Sequence, residues 1–334
     1  MTAGGTPSGR RPGSRTTPAG RRPAPGEYLE PQPGVDYAHV LASSPDGVVR
    51  GLLGLAGAML GWALLVPVVV QLLIVVGWLV TGMPGTLAEH TARATRFETV
   101  DGLVATHLGL ACLIVVVLAL ARWVHHRRAR WVWSVQPGMR WRYGLIVAVV
   151  AAVVINLTQV LVKGDAAWHF TTPRDWWVWI LAIVLTSPLQ AAAEEVFFRG
   201  YLMNALGSMG AGRWVAVIVS ALVFALAHGT QSLWLFLDRF AFGVIAGSLV
   251  IVTGGLEAGI GAHVVNNLFA FGYSVFQGGA ARARGITTMA WQDAVWDVVG
   301  FATIAAAAMW IGAGMNLART TPGKPVDLPK GSSA

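Results

Sequence analysis

Cysteine occurs once in 334 residues, at Cys112. A single thiol excludes an intrachain disulfide and any cysteine-based zinc cluster. Charge is scarce as well. Asp, Glu, Lys and Arg make up 12% of the chain, about half of what a soluble domain carries. Acids are the rarer sign, 16 against 24 Lys and Arg, which leaves a formal charge of +8. The basic residues sit in tails and short loops rather than along one face. They read as the cytoplasmic bias of a membrane protein, and no nucleic-acid partner is expected. The basic N-terminus is not closely followed by an apolar run, so it does not read as a signal peptide. Apolar residues are what the chain has in excess: 55% of it is hydrophobic and the mean hydropathy is +0.59. Many of the 15 tryptophans fall at the ends of apolar runs, among them Trp123, Trp131, Trp141, Trp168 and Trp176. Indole rings favour that headgroup zone.

These features predict an all-α protein, a polytopic membrane helical bundle of about eight transmembrane helices in contact with the lipid bilayer. The spans are expected near 51–80, 102–121, 144–163, 176–205, 213–229, 232–253, 256–275 and 294–315. Residues 1–47, rich in Pro, Gly, Ser, Thr and Arg, read as a disordered basic tail. Residues 48–139 then hold two transmembrane helices and a basic interfacial loop. Residues 140–275 form a core, 276–315 a loop and last helix, and 316–334 a polar tail. The loop after the second span carries Arg122, Arg127, Arg128, Arg130, Arg140 and Arg142 with no acid. It should face the cytoplasm, and an even number of spans then places both termini there. The Ala, Gly, Val and Arg bias points to a bacterial cell membrane.

Against that apolar background, SPLQAAAEEVFFRGYL over 187–202 stands out. An ionisable side chain inside a span costs about 2.5–3.5 kcal/mol on insertion scales. Glu194 and Glu195 are adjacent, and Arg199 lies one turn beyond Glu195 on the same face. Arg199 is permanently charged and needs a carboxylate there; Glu195 is the natural partner. Glu194 is then the carboxylate left over, and desolvation suits such a group to general-base work. His228 follows Phe224 by one turn in the fifth span, and Asn267 follows His263 by one turn in the seventh. A rise of 1.5 Å per residue brings all of them to a common depth. His228 could share in activating a water, and His263 with Asn267 could donate to a developing oxyanion. Taken singly, His228, His263 or Asn267 is more simply a helix-packing hydrogen bond, and Glu195 with Arg199 could be a purely structural ion pair. Asp238, Arg239, Glu257 and Asp297 are read as local pairs or as side chains reaching the interface.

EEVFFR at 194–199, FALAH at 224–228 and HVVNN at 263–267 resemble three ordered motifs, E-E-x-x-x-R, F-x-x-x-H and H-x-x-x-N. They are the motifs of the CAAX-protease and bacteriocin-processing family, also called ABI or CPBP, which includes the Ras-converting prenyl endopeptidase. The resemblance covers about residues 140–275. It implies a glutamate-dependent intramembrane endopeptidase acting on a membrane-associated protein or peptide. In that reading Glu194 and His228 activate water, Glu195 and Arg199 hold the geometry, and His263 with Asn267 form an oxyanion hole. The family is often labelled metallopeptidase. Without an H-E-x-x-H pair the expectation is no cofactor; if zinc were bound, Glu194, His228 and His263 would hold it. The alternatives are a non-proteolytic membrane protein, either an ion- or proton-coupled transporter or an immunity or scaffold protein.

Overall fold

The computed structural model describes residues 28–43, 46–164 and 170–323. Helix α1 (Gly47–Leu60) runs through a π-helical turn at Gly61–Leu65 into α2 (Val66–Val80). Short α3 (Leu87–Thr95) is closed by a capping box in which Thr86 and Glu89 satisfy each other's backbone N–H. Then come α4 (Val100–Trp123), the single turn α5 (Arg130–Trp133) and α6 (Trp141–Lys163). Helix α7 (Trp176–Glu195) continues through a π-helical stretch, Val196–Leu202, into α8 (Met203–Ser208). The chain ends with α9 (Arg213–Leu226), α10 (Leu233–Thr253), α11 (Glu257–Phe276), the short α12 (Ala280–Arg284) and α13 (Trp291–Gly314). Among the described residues there is no strand, only two isolated bridges.

Every expected span is helical. Six helical stretches are long and apolar enough to cross a membrane: 47–80, 100–123, 141–162, 176–208, 233–253 and 291–314. Two of the eight expected spans do not reach that standard. Helix α9 has 14 residues, about 21 Å of rise against ~30 Å of hydrocarbon. Helix α11 is long enough, but Glu257, His263, Asn266 and Asn267 dilute its apolar character. Leu64, Leu72, Val149, Leu181 and Trp310 turn outward. This outer apolar coat suits lipid rather than water.

The helices alternate in direction, so the bundle has two distinct ends. At one end Val135 N–H donates to Gly254 O, Leu256 N–H to Trp133 O, and Thr321 N–H to Val35 O. The chain before α1, the arginine-rich 122–142 loop, the α10–α11 turn and the last described residues therefore lie together. Gly254, at φ +73°, makes that turn in a conformation that suits glycine. At the other end Thr171 N–H donates to Phe276 O and Ser232 N–H to Thr287 O, and the Arg284 guanidinium lies over the Phe97 ring. Both described termini sit at the arginine-rich end.

Two expectations need correction. Of the tail expected to be disordered over 1–47, only residues 1–27, 44 and 45 lie outside the described residues. Within 28–43, Tyr37, Ala38, Val40 and Leu41 are fully buried. Asn204 Oδ1 accepts from Leu41 N–H, and buried Arg127 donates to Val40 O and Ala42 O. The missed signal was the apolar cluster YAHVL inside a Pro- and Gly-rich stretch. Glu257, expected to reach the interface, is instead fully buried. Arg140 Nε and Nη2 donate to its two oxygens at 2.8 and 2.6 Å, and Arg140 N–H adds a third bond. This fork ties the start of α6 to the start of α11. Breaking such a buried pair from one side costs about 3–5 kcal/mol. Glu257→Ala should therefore lower the unfolding temperature in detergent by several degrees, measured by a thermal unfolding scan; an unchanged value would remove this pair from the fold's supports.

Candidate active site

The two adjacent glutamates meet different surroundings. Glu195 is fully buried. Its Oε1 lies 3.1 Å from Arg199 Nη1 and 2.9 Å from His263 Nδ1. The Arg199 contact is a close charge pair without hydrogen-bond alignment, since none of the Arg199 nitrogens has a hydrogen-bond partner. Its guanidinium lies instead over the faces of Phe224 and Phe242, at 4.3 and 5.3 Å from the ring centroids. Cation–π attraction in a desolvated setting replaces part of the lost hydration. Gly259 on α11 makes the close approach to Glu195 possible. A Cβ there would sit 3.0 Å from Glu195 Oε2.

Glu194 points elsewhere. Gln190, one turn earlier on α7, donates from Nε2 to Glu194 Oε1 at 2.5 Å, and Asn267 Nδ2 donates to Gln190 Oε1 at 2.8 Å. His263 Nε2 stands 3.6 Å from Glu194 Oε2. His263 thus bridges the two carboxylates. Because Glu195 accepts at Nδ1, that nitrogen carries a proton and Nε2 is aimed at Glu194 and the cavity. His228 is ordered in a similar way. Its Nδ1 lies 2.8 Å from Phe224 O. A carbonyl only accepts, so Nδ1 is the protonated nitrogen and Nε2 keeps its lone pair.

A cavity of about 1040 Å³ is lined by Glu194, His228, His263 and Asn267 together with Gln190, Asp238 and Arg239. Glu195 and Arg199 are not in its wall. The helical geometry explains the division. Helix α7 becomes π-helical at Val196, directly after the glutamates, and Ser220 Oγ donates to Phe198 O within that stretch. Such π-turns recur at functional sites because they re-aim side chains. Pro188 lies inside the continuous α7; the departure from α-helix comes about two turns later, at Val196.

Six motif residues come together as spaced in the sequence: Glu195, Arg199 and His263 in contact, and Glu194, His228, His263 and Asn267 around one cavity. Glu194 is not the free carboxylate that the sequence predicts, because Gln190 and His263 flank it. Gln190 went unnoticed, although its place one turn before Glu194 was a readable signal. Asp238 and Arg239, expected within the sixth span either to satisfy each other or to face the cavity, both line it; Arg239 is held by Gln231 Oε1 at 2.6 Å. Asn266 donates to Asn267 Oδ1 and also lines the cavity. His263 Nδ1 is committed to Glu195 and His228 Nδ1 to Phe224 O, so a metal ion could be met only by the two Nε2 atoms together with Glu194. Among the described residues no three His, Cys, Asp or Glu side chains are grouped to hold a metal ion.

Residues 174–269 match the family of Type II CAAX prenyl endopeptidase Rce1-like proteins. That stretch is similar to an Rce1-like domain. It runs from the start of α7 into α11 and includes all seven motif residues, Phe224 among them. The uncharacterized protein YyaK of Bacillus subtilis (strain 168) is 26% identical over 178 residues, covering 50% of this chain and 59% of YyaK. The chain thus spans less than two thirds of that relative's length. No solved structure matches. Together with the apolar helices, this similarity marks an integral, multi-pass membrane protein.

The buried charge cluster gives a stability prediction. Glu195→Ala leaves Arg199 in an apolar site with no carboxylate in contact, a change worth about 3–5 kcal/mol. Glu194→Gln keeps the side chain's shape and only alters a group that faces the cavity. Thermal unfolding in detergent should separate them, with Glu195→Ala strongly destabilised and Glu194→Gln close to wild type. Equal losses would contradict the division of the two carboxylates.

Proposed function

We propose that the protein is an intramembrane endopeptidase in which Glu194 activates the water that cleaves a peptide bond of a membrane-associated protein or peptide. One observation carries this reading. Of the two glutamates, only Glu194 lines the cavity, while Glu195 is sealed against Arg199. A water held between Glu194 and the lone pair of His228 Nε2 would lose a proton to Glu194 as its oxygen attacks the substrate carbonyl. Charge then develops on the carbonyl oxygen. Asn267 has a second Nδ2–H beyond the one bonded to Gln190, and a protonated His263 Nε2 adds another donor. When the C–N bond breaks, Glu194 returns its proton to the leaving amine. The cycle closes with no covalent intermediate and no metal ion. The similarity to Rce1-like domains supports the reaction class; the substrate, and whether it is lipidated, are open to the experiment below.

Membrane fractions from cells expressing wild-type or Glu194→Gln protein should be compared for peptide fragments. Fragments present with wild type should vanish, and cleavage of an identified substrate should fall by about 10²–10⁴-fold, the usual share of a general base. Chelators should leave the wild-type rate unchanged, and purified protein should carry no stoichiometric metal. Full cleavage by Glu194→Gln, or loss of activity on chelation with recovery on adding zinc, would overturn the proposal.

A further inference from the structure

Asp238 is a carboxylate for which the fold provides no partner. It sits on α10, only 9% exposed, and lines the cavity that holds Glu194 and His263. Its Oδ1 is enclosed without a hydrogen-bond partner, and among the described residues no cation forms an ion pair with it. The arginines of the cavity wall are engaged elsewhere. Arg239 donates to Gln231 Oε1, Arg282 donates to Gln277 O, and the Arg284 guanidinium lies over the Phe97 ring. Asp238 and its neighbour Arg239 therefore do not satisfy each other, although both lie on α10.

An acidic group inside a membrane span is costly unless something cationic answers it, and such groups mark sites of function. Here a second acid adds to the charge. Asp297 on α13 also lines the cavity, close enough for the two carboxylates to repel each other. The wall beside them is apolar, with Leu235 and Phe242 from α10 and Phe301 from α13. Apolar walls with a carboxylate among them suit a long side chain with an apolar stem and a cationic tip. The place is also next to the chemistry. Phe242, one turn from Asp238, meets His263 edge to face, with ring centroids 5.0 Å apart.

We propose that Asp238, reinforced by Asp297, is a specificity subsite that takes a lysine or arginine side chain of the peptide bound in the cavity. One helical turn is about 5.4 Å, and an extended chain advances about 3.3 Å per residue. The basic residue therefore stands within about two residues of the bond that is cleaved. A neutral side chain there leaves Asp238 unanswered, and an acidic one is repelled by both carboxylates, so the subsite selects as much by rejection as by attraction. The position relative to the cleaved bond rests on the proposed endopeptidase; the preference for a cation does not.

The test compares two capped peptides, acetyl-Leu-Leu-Lys-Leu-Leu-amide and the same peptide with norleucine in place of lysine, which lacks only the ammonium group. Each is titrated against the full-length Glu194→Gln protein in detergent, and binding is read from the rise in unfolding temperature. That background prevents cleavage and removes the other carboxylate of the cavity. The lysine peptide should bind about 10-fold or more tightly than the norleucine peptide. Adding Asp238→Asn should abolish the preference, and adding Asp238→Glu should keep it. Equal binding of the two peptides, or no binding of either, overturns the proposal, and so does a preference that survives Asp238→Asn. The comparison of peptides on the Glu194→Gln protein decides even where Asp238→Asn fails to fold. A lysine preference without cleavage by the wild-type protein would sink the endopeptidase and leave the subsite standing. Cleavage without the preference would do the opposite.

Discussion

The site is organised around one buried positive charge. Arg199 is wholly enclosed, its guanidinium lying over two aromatic faces and its charge answered by Glu195. Such a charge cannot stand alone in an apolar interior. It fixes Glu195, and Glu195 in turn fixes His263 through Nδ1. His263 then stands beside Glu194 with Nε2 facing the cavity. The register of α7 against α11 follows from this chain of contacts, with Gly259 providing room for the approach. Glu194 can be chemically available because its neighbour carries the structural charge.

The outer supports repeat this logic at the arginine-rich end. Arg140 and Glu257 join α6 to α11, and Arg127 holds the N-terminal segment by backbone carbonyls. Tyr37, Val40 and Leu41 pack with Val132, Leu202 and Leu256 beneath that end, while the cavity lining runs along α11 from His263 to Phe276. An aqueous cavity in a bundle of apolar helices also gives irregular backbone, such as the turn carrying His228, a place to exist away from lipid.

Much of this was legible in the sequence. Apolar run length located the long helices, though not the short α3, α5 and α12, since helix formation in a bilayer leaves the backbone little choice. The four-residue spacing within each motif correctly paired Glu195 with Arg199. What the sequence could not show is direction. Periodicity says that residues share a face, but not which neighbour that face meets. So His263 was assigned to an oxyanion role with no sign that Glu195 holds its other nitrogen, and Gln190 was passed over. Burial of Glu257 and of residues 37–41 was missed for a related reason: charge and Pro-Gly content describe a segment, whereas its fate depends on partners far along the chain.

A pair of double-mutant cycles tests the central claim, that Arg199 is answered by Glu195 and not by Glu194. Thermal unfolding of Glu195→Gln, Arg199→Gln and their double variant gives one coupling energy; the same set with Glu194→Gln gives the other. Residues in direct contact couple by about 0.5–3 kcal/mol. The account predicts a coupling near the top of that range for Glu195 with Arg199, and a much smaller one for Glu194 with Arg199. Equal couplings, or a larger one for Glu194, would contradict it.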